Sequence, residues 1–448
     1  MKRRSFLKAS ASLLATSGLG TRALASPHNQ ISLAAVGDCI ITRKVSHARD
    51  PRFLALVNIL RDSDCSIGNC EMTFGDAHGL EPTPKGADMN LICPQFGADE
   101  LAWMGFDLMG CANNHAMDYG SAGVFSTLRQ LERVGIAAVG IGTTLAQAAA
   151  PNYVDVSSGR IGLVNCASSF PAWSLAEYAR GDSNGRTGIN PLRLDRTYRL
   201  ETNLFEQLVK IEGALFPKVT DAQKSLPSQE LRFLDGRFIP GPTNVVTTLQ
   251  LTDVTRIIEA VKVARRNANL VGVFIHEHSP ARPRGFQQSF ARTCIDSGAD
   301  FFLGSGPHVL GGIEIYQGKP ICYSLGNFFF QYETVRQIPA EVYEANHLDT
   351  DILDPSVSYD ILGTHFKDPA VWQSVVVHMT FQEWGLSELK LYPITLGMHE
   401  LRFARGLPVM ATAEEGRRIL KAVGRLSEPF GTAMEIKDEI GKIQLPFS

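Results

Sequence analysis

The segment Gly110-Cys111-Ala112-Asn113-Asn114-His115 decides how the rest of the chain is interpreted. Residues 106–109 before it form a short, mostly apolar run, which predicts a buried β-strand, and residues 124–134 after it predict an amphipathic helix. Asn114 and His115 are therefore expected at the carboxyl end of a strand, where open α/β sheets place their ligands. An amide oxygen beside an imidazole offers a metal ligand next to a proton donor, but a polar turn with a helix-capping asparagine has the same pattern.

Four other predicted strands end in polar residues of the same kinds. These sets are Asp38, Asn69 with Glu71, His276 with His278, and His308. Any one of them alone is more often an ordinary polar side chain than a ligand. Because all five sets follow predicted strands, we expect one shared polar site at the sheet edge. Carboxylate and amide oxygens with imidazole nitrogens suit Mn, Fe, Zn or Mg rather than a thiolate-selective metal.

The segment from His276 to Arg284 combines candidate metal ligands with candidate anion-binding groups. His276 and His278 are two residues apart, so in an extended strand they share one face. Arg282 and Arg284 come shortly after them and could clamp a phosphate or a carboxylate. The alternative for both arginines is that they are solvated loop charges.

The amino terminus has the three parts of an export signal. Arg3 and Arg4 form a twin-arginine pair, residues 9–19 are mildly apolar, and Ala23-Leu24-Ala25 supplies small residues for cleavage. Residues 1–25 are therefore predicted to be a twin-arginine signal peptide. The stretch is too short and too polar for a stable membrane span, and we expect no transmembrane segment in the mature chain.

Charge and cysteine content narrow the class of protein. The chain has 448 residues, and residues 1–25 hold five basic residues and no acidic one, which leaves 38 basic against 46 acidic residues, a net charge of −8. That balance argues against nucleic acid as a partner. The eight cysteines include no CxxC pair, so we expect buried structural thiols, although an exported protein can pair some of them.

The hydrophobic pattern suggests one large domain with an insertion. The predicted division is a domain over residues 26–432, an insertion at about 168–247, and a tail over 433–448. The periodic pattern lapses in the insertion, which is rich in glycine, asparagine, proline and charged residues and contains one helical patch at 204–211. A long irregular segment inside a compact domain often lies near a functional site.

These motifs resemble the bacterial capsule synthesis protein CapA family, which is associated with poly-γ-glutamate biosynthesis and is related to metallophosphoesterases. The resemblance runs from about residue 31 to 432. Its matching segments are Val36-Gly37-Asp38, Asn69-Cys70-Glu71, Ala112-Asn113-Asn114-His115 with Asp118-Tyr119-Gly120, His276, Gly306-Pro307-His308 and Tyr323-Ser324-Leu325-Gly326-Asn327-Phe328. The fold that it implies is α/β, a metallophosphatase-like two-sheet sandwich flanked by helices, with long insertions.

The resemblance also implies roles for the site residues. A divalent metal would be bound by Asp38, Glu71, Asn114, His276 and His308. His115 would be a general acid or an orienting group, and His278 is a second catalytic candidate. Asn327 joins Arg282 and Arg284 as a candidate for substrate binding.

Two segments depart from the pattern of the relatives. Metallophosphoesterases commonly have Asp-x-His on the first strand, where this chain has Asp38-Cys39-Ile40. The late motif usually reads His-Pro-His, where this chain has Gly306-Pro307-His308. These changes favour one metal, or a weakly held second one, over a full two-metal site. His278 is a candidate for supplying the lost nitrogen.

Together these features predict an exported CapA-like protein of poly-γ-glutamate or capsule polymer metabolism, located in the periplasm or outside the cell. The predicted activity is metal-dependent hydrolysis of phosphoester or amide bonds. The expected partners are an anionic polymer or phosphoester substrate and a capsule synthase or export machinery. The alternative function is a non-catalytic module that holds an anionic polymer for a synthase or exporter.

Overall fold

A computed structural model describes residues 30–86, 88–216, 229–278, 283, 285–335, 337–349, 351 and 366–445. The strands in these ranges are β1 (Gln30–Ile40), β2 (Cys65–Asn69), β3 (Thr73–Phe74), β4 (Ile92–Cys93), β5 (Leu108–Gly110), β6 (Ala137–Val139), β7 (Ile141–Gly142), β8 (Asn152–Val156), β9 (Gly159–Ala167), β10 (Gly188–Ile189), β11 (Leu194–Leu200), β12 (Leu231–Phe233), β13 (Gly236–Pro240), β14 (Asn244–Leu249), β15 (Leu270–His276), β16 (Phe301–Ser305), β17 (Ile313–Tyr316), β18 (Lys319–Cys322), β19 (Asn327–Phe330), β20 (Gln373–Gln382), β21 (Gly385–Thr395), β22 (Val409–Met410), β23 (Met434–Lys437) and β24 (Ile440–Ile443). The helices are α1 (Pro51–Asp62), α2 (Phe96–Met104), α3 (Gly120–Val134), α4 (Leu145–Ala149), α5 (Thr202–Leu215), α6 (Leu251–Asn267), α7 (Gly285–Asp296), α8 (Ala340–Ala345) and α9 (Ala413–Ser427).

Two large sheets organise the domain. The first has the order β23-β24-β21-β20-β1-β2-β5-β6, with β19 beside β1 and β22 beside β21. The second has the order β17-β18-β16-β15-β9-β8. Within the first sheet β1, β2, β5 and β6 are parallel, and within the second β9, β15, β16 and β18 are parallel.

The sheets pack face to face through one apolar cluster. Leu33 and Ile67 of the first sheet share this cluster with Phe274 and Leu303 of the second, and all four are fully buried. A second cluster covers the outer face of the first sheet with side chains of α1, α2 and α3, and a third covers the second sheet with α6 and α7. The predicted α/β two-sheet sandwich flanked by helices is therefore confirmed.

The parallel strands explain why the polar residues meet. Asp38 lies near the end of β1, Asn69 ends β2, and His276 ends β15. The register pairs Asp38 with Asn69 on one side and with Asn327 on the other, and it pairs His276 with Ser305. The carboxyl ends of both sheets thus bring side chains from distant parts of the chain to one edge.

Two regions of the predicted domain division contain regular elements that the sequence did not indicate. In the described residues of the predicted insertion at about 168–247, β11 to β14 form a four-stranded sheet in the order β12-β13-β11-β14. The helical patch predicted there is present as α5. Within the predicted tail over 433–448, the described residues up to 445 include β23 and β24, which extend the first sheet from β21.

None of the helices in the described part of the chain has both the length and the apolar character needed to cross a bilayer. All eight cysteines lie in the described ranges, where each is buried and no two are joined in a disulfide. Residues 1–29, which include the predicted signal peptide, lie outside the described residues.

Candidate metal centre

Asp38 is the centre of a fully buried hydrogen-bond network. Its Oδ1 accepts from Asn69 Nδ2 at 2.7 Å, and its Oδ2 accepts from the backbone N–H of Gly306 at 3.1 Å. His276 Nδ1 lies 3.6 Å from Oδ1, and His308 Nδ1 lies 3.4 Å from Oδ2. Burial alone would raise the pKa of Asp38, but hydrogen bonds and charge attraction from the two histidines hold that pKa well below its ordinary value. Asp38 is therefore held as a carboxylate.

Glu71 is in the opposite situation. It is fully buried, and neither of its carboxylate oxygens has a hydrogen-bond partner among the described residues. Burial, with the neighbouring charge of Asp38, raises the pKa of Glu71 well above its ordinary value. Its Oε1 lies 3.5 Å from His276 Nε2 and 4.0 Å from His308 Nε2. A buried carboxylate that faces two imidazoles without bonding either is suited to a cation between them.

Asn327 fixes which nitrogen of the His308 ring carries the proton. The Nδ2 of Asn327 donates to the carbonyl of Val371 at 3.0 Å, so its Oδ1 faces His308 Nδ1 at 2.8 Å and can only accept. His308 Nδ1 therefore carries the proton, and Nε2 keeps the lone pair that a metal needs. The geometry favours this positioning role for Asn327 over the substrate contact that the sequence suggested, because its side chain is fully buried.

His278 lies with the candidate ligands. Its Nε2 is 3.0 Å from His276 Nε2, and it forms a potential ligand group with Glu71 and His308, while Asp38, Glu71 and His276 form another. The atoms of each group lie within 4.8 Å of one another, wider than the roughly 3.0–3.4 Å that separates ligand atoms bound about 2.1 Å from one ion. His278 was predicted as catalytic, and its position favours the alternative in which it supplies the nitrogen lost from the late motif.

His115 belongs to a buried group of its own. Its Nδ1 donates to Asp118 Oδ2 at 2.7 Å, because a carboxylate can only accept. Lys85 Nζ donates to Asp118 Oδ1 at 2.8 Å and lies 3.3 Å from His115 Nδ1. The side chains of Lys85 and Asp118 are almost fully buried, so Lys85 balances the charge of Asp118 inside the protein. This arrangement fixes the ring of His115 and leaves its Nε2 available for a proton transfer.

The two asparagines before His115 connect these groups. Asn113 Nδ2 donates to the carbonyl of Cys70 at 2.8 Å and to Asn69 Oδ1 at 3.3 Å, so it holds the loop that carries Glu71. Asn114 Oδ1 is buried and has no hydrogen-bond partner among the described residues. An amide oxygen in that condition is available to a metal, as the sequence predicted for Asn114.

Sequence reasoning missed several of these residues. Lys85 lies in a loop rich in glycine and proline, where a lysine normally faces solvent, and no local pattern indicates its burial. Asp118 was visible as part of a motif, and its spacing of three residues from His115 was the available signal. Arg282 and Arg284, predicted as substrate ligands, lie outside the described residues.

The donor set fits a divalent metal. Within the described part of the chain, Glu71 and Asn114 have buried oxygens without hydrogen-bond partners, the Nε2 of His308 keeps its lone pair, and Asp38 is an ionised carboxylate. Oxygen and imidazole donors of this kind suit a hard or borderline divalent cation.

A family model described as bacterial capsule synthesis protein PGA_cap matches residues 32–332. The chain belongs to this family. The matched range contains Asp38, Glu71 and the histidines of the candidate metal centre, and it ends before β20. The resemblance to CapA proteins is therefore confirmed.

Several known proteins are similar to this chain in sequence. The chain is 36% identical to uncharacterized protein y4sH of Sinorhizobium fredii, with 92% of this chain and 93% of that protein covered. It is 23% identical to capsule biosynthesis protein CapA of Bacillus anthracis, over 73% of this chain and 67% of that protein. It is 25% identical to PGA biosynthesis protein CapA of Bacillus subtilis, over 67% of this chain and 63% of that protein.

A solved structure of a phosphatase from Mycoplasma pneumoniae is also similar, with a TM-score of 0.39 and 11% identity over 82% of this chain and 94% of that one. At that score the similarity carries no argument about fold or function.

Proposed function

We propose that this PGA_cap protein is a metal-dependent hydrolase that acts on phosphoester or amide bonds in capsule polymer metabolism. The observation that carries the proposal is Glu71: neither of its buried oxygens has a hydrogen-bond partner among the residues that the structure describes, and its Oε1 faces the imidazoles of His276 and His308. A purely structural carboxylate would be hydrogen-bonded or exposed. The metal residues proposed are Asp38, Glu71, Asn114, His276, His278 and His308.

The chemistry divides between the metal ligands and the His115 group. A bound divalent metal would polarise a phosphoryl or acyl oxygen and lower the pKa of a bound water. His115, held by Asp118, would give a proton to the leaving group from Nε2. Asn327 keeps His308 in the tautomer that can bind metal, and Asn113 keeps the Glu71 loop in place.

The proposed location is the periplasm or the cell exterior, reached through the twin-arginine pathway after removal of residues 1–25. Membership of a capsule synthesis family supports a role outside the cytoplasm, where capsule polymers are assembled. The proposed partners are an anionic polymer or a phosphoester substrate, and a capsule synthase or export machinery.

The test combines metal analysis with turnover. Protein purified from its native compartment is analysed for metals by mass spectrometry. The same protein is assayed on a phosphomonoester, a phosphodiester and a γ-glutamyl amide, before and after chelation and metal addition. We expect bound divalent metal, and turnover of at least one substrate that chelation removes and metal restores. Metal-free protein that turns over none of these substrates yet binds polymer would instead establish the non-catalytic module.

A further inference from the structure

Asn165 is a polar side chain in the otherwise apolar interior between the two large sheets. It belongs to β9 of the second sheet, where it is paired in register with Phe274 of β15, and it is almost fully buried. Leu163, two residues before it on the same face of β9, belongs to the apolar cluster that joins the sheets. A buried amide is stable in such surroundings only when its polar atoms have partners, so the partners of Asn165 show what it does.

The side-chain amide of Asn165 bonds to the backbone of both sheets. Its Oδ1 accepts from the N–H of Ala112 at 2.6 Å and from the N–H of Cys111 at 2.9 Å, both in the loop that follows β5 of the first sheet. Its Nδ2 donates to the carbonyl of Phe274 at 2.9 Å, in the second sheet. The Cys111 N–H also donates to the carbonyl of Val139 at 2.8 Å, so the loop depends on Asn165 chiefly through Ala112.

These bonds lie directly beside candidate ligands. Ala112 is two residues before Asn114, and Phe274 is two residues before His276. Asn114 belongs to the loop of the first sheet, and His276 ends a strand of the second. Asn165 therefore joins the backbone segments that carry ligands of the candidate metal centre from opposite sheets.

The surrounding residues fit this amide closely. A Cβ on Gly110 would lie 2.9 Å from Asn165 Nδ2, and a Cβ on Gly140 would lie 2.1 Å from Asn165 Oδ1. The backbone carbonyl of Asn165 accepts from Asn190 Nδ2 at 2.9 Å, and Asn190 Oδ1 accepts from Arg256 Nε at 3.0 Å. Because Asn165 is packed on both sides and held by a second buried amide, its side chain has one defined orientation.

We propose that Asn165 is a positioning residue of the candidate metal centre, which fixes the separation between Asn114 on the first sheet and His276 on the second. The inference rests on the proposed function, since it assigns a task to a residue outside the ligand set of that centre. Apolar packing between sheets is non-directional, whereas ligands must be held to within about 0.5 Å of their working geometry. Directional bonds from one amide to both backbones supply that precision.

Two variants weaken this bridge in different ways. Asn165→Asp keeps an oxygen for the Ala112 N–H but replaces the Nδ2 donor with an acceptor that faces the carbonyl of Phe274. Asn165→Ser adds no charge, and its side chain is too short to bond both backbones. Ser427→Ala is the matched control, because it removes a buried hydroxyl that accepts from the Ile313 N–H at 2.9 Å, at the edge strand of the second sheet.

The experiment measures metal affinity without turnover. Metal-free protein is titrated with Mn²⁺, read by electron paramagnetic resonance of the free ion, and with Zn²⁺, read by competition with a coloured chelator. We expect both Asn165 variants to bind these ions about ten- to a hundredfold more weakly than wild type, as changes behind metal ligands typically do. Ser427→Ala should lose stability but keep wild-type affinity.

Hydrogen–deuterium exchange of the metal-free proteins gives a second result that needs neither metal nor substrate. The backbone amides of residues 108–116 should exchange faster in Asn165→Ser than in wild type, because the Ala112 N–H loses its acceptor. Exchange over the same residues should be unchanged in Ser427→Ala.

Each outcome decides the inference. Wild-type affinity in Asn165→Ser overturns it, and so does an equal loss of affinity in Ser427→Ala, since the effect would then follow from lower stability alone. If wild-type protein binds neither ion, the proposed function fails and the exchange result decides the bridge. Unchanged exchange over residues 108–116 then overturns the inference, and faster exchange in Asn165→Ser supports it.

Discussion

A buried carboxylate is costly to keep charged unless other groups compensate its charge, and neither oxygen of Glu71 has a hydrogen-bond partner among the described residues. Burial and the charge of Asp38 raise the pKa of Glu71 and outweigh the charge of Lys85, which lowers it. The raised pKa of Glu71 reflects this unfavourable burial of charge, because it means that the protonated, neutral form is favoured. Because the folded protein binds a proton here more tightly than the unfolded chain does, the contribution of Glu71 to stability is present below its ordinary pKa of 4.5 and is lost as pH rises above it.

Replacing Glu71 with Gln should therefore have opposite effects with and without metal. In chelated protein at neutral pH, E71Q should raise the free energy of unfolding by about 1–3 kcal/mol, since it removes an uncompensated buried charge. Added metal should stabilise the wild-type protein, and this stabilisation should be largely absent in E71Q. Denaturant unfolding with chelator and with added metal measures both effects. Equal stability of the two chelated proteins would show that the Glu71 charge is already compensated.

Removing the His115 side chain and removing the His308 side chain should have different effects on turnover and on metal content. His115→Ala should keep metal and fold but lower turnover by roughly 10²–10⁴, because it removes a proton donor. His308→Ala should lower metal content itself, because it removes a ligand. Metal analysis beside turnover on whichever substrate is found active separates the two, with the exposed His399→Ala as control. Equal metal loss in both variants would make His115 a ligand.

At the scale of elements, the site depends on how closely β1 approaches the segment before β19. The backbone N–H of Asp38 donates to the carbonyl of Gly326 at 2.9 Å. A Cβ at Gly37 would lie 1.8 Å from that same carbonyl oxygen. Only glycine at position 37 lets the two backbones come this close. The contact fixes the position of β1 at Asp38, and with it the position of the Asp38 side chain.

Gly37→Ala should therefore push β1 away from Gly326. We expect a loss of about 1–3 kcal/mol or more in the free energy of unfolding, with weaker metal binding because Asp38 moves. Gly213→Ala is the matched control, since Gly213 lies in α5 with nothing within 4 Å of an added Cβ, and it should be neutral or slightly stabilising. Urea denaturation and metal titration test the pair. An unchanged metal affinity in Gly37→Ala would show that this approach does not position Asp38.

Most of the sandwich strands could be predicted from the sequence because they are buried and strongly apolar. Strand β15, for example, is buried along its whole length. Strands β11 and β14 were missed because they carry charged and polar residues and are only partly buried, so their periodicity is weak. Strands β23 and β24 are short, and their place beside β21 depends on long-range pairing that local sequence does not encode.

At the scale of the molecule, the candidate site assembles from residues between positions 38 and 308, on two sheets. Polar residues that directly follow apolar strands can be recognised in the sequence, so Asp38, Glu71 and the histidines could be identified as candidates. Lys85 could not be found in this way, since its burial depends on a loop that folds over Asp118. The left-handed backbone of His308, with φ of 58°, is likewise visible only in the folded chain.

The cysteines are distributed over the whole fold. All eight lie in the described ranges and are buried without a disulfide between them, and Cys39 and Cys70 are next to candidate ligands in the sequence. Free buried thiols are typical of a chain that folds in a reducing compartment, whereas proteins that fold after secretion commonly form disulfides. The twin-arginine signal at Arg3 and Arg4 stays a prediction from the sequence.

Replacing Arg3 and Arg4 with Lys should leave the uncleaved chain in the cytoplasm, because the adjacent arginines are the feature that the export pathway recognises while the positive charge is kept. The control Arg22→Lys changes a basic residue of the same segment outside the pair and should be processed normally. Fractionation followed by mass spectrometry of the amino terminus measures both location and cleavage. Normal processing and location in the double variant would rule out the twin-arginine route.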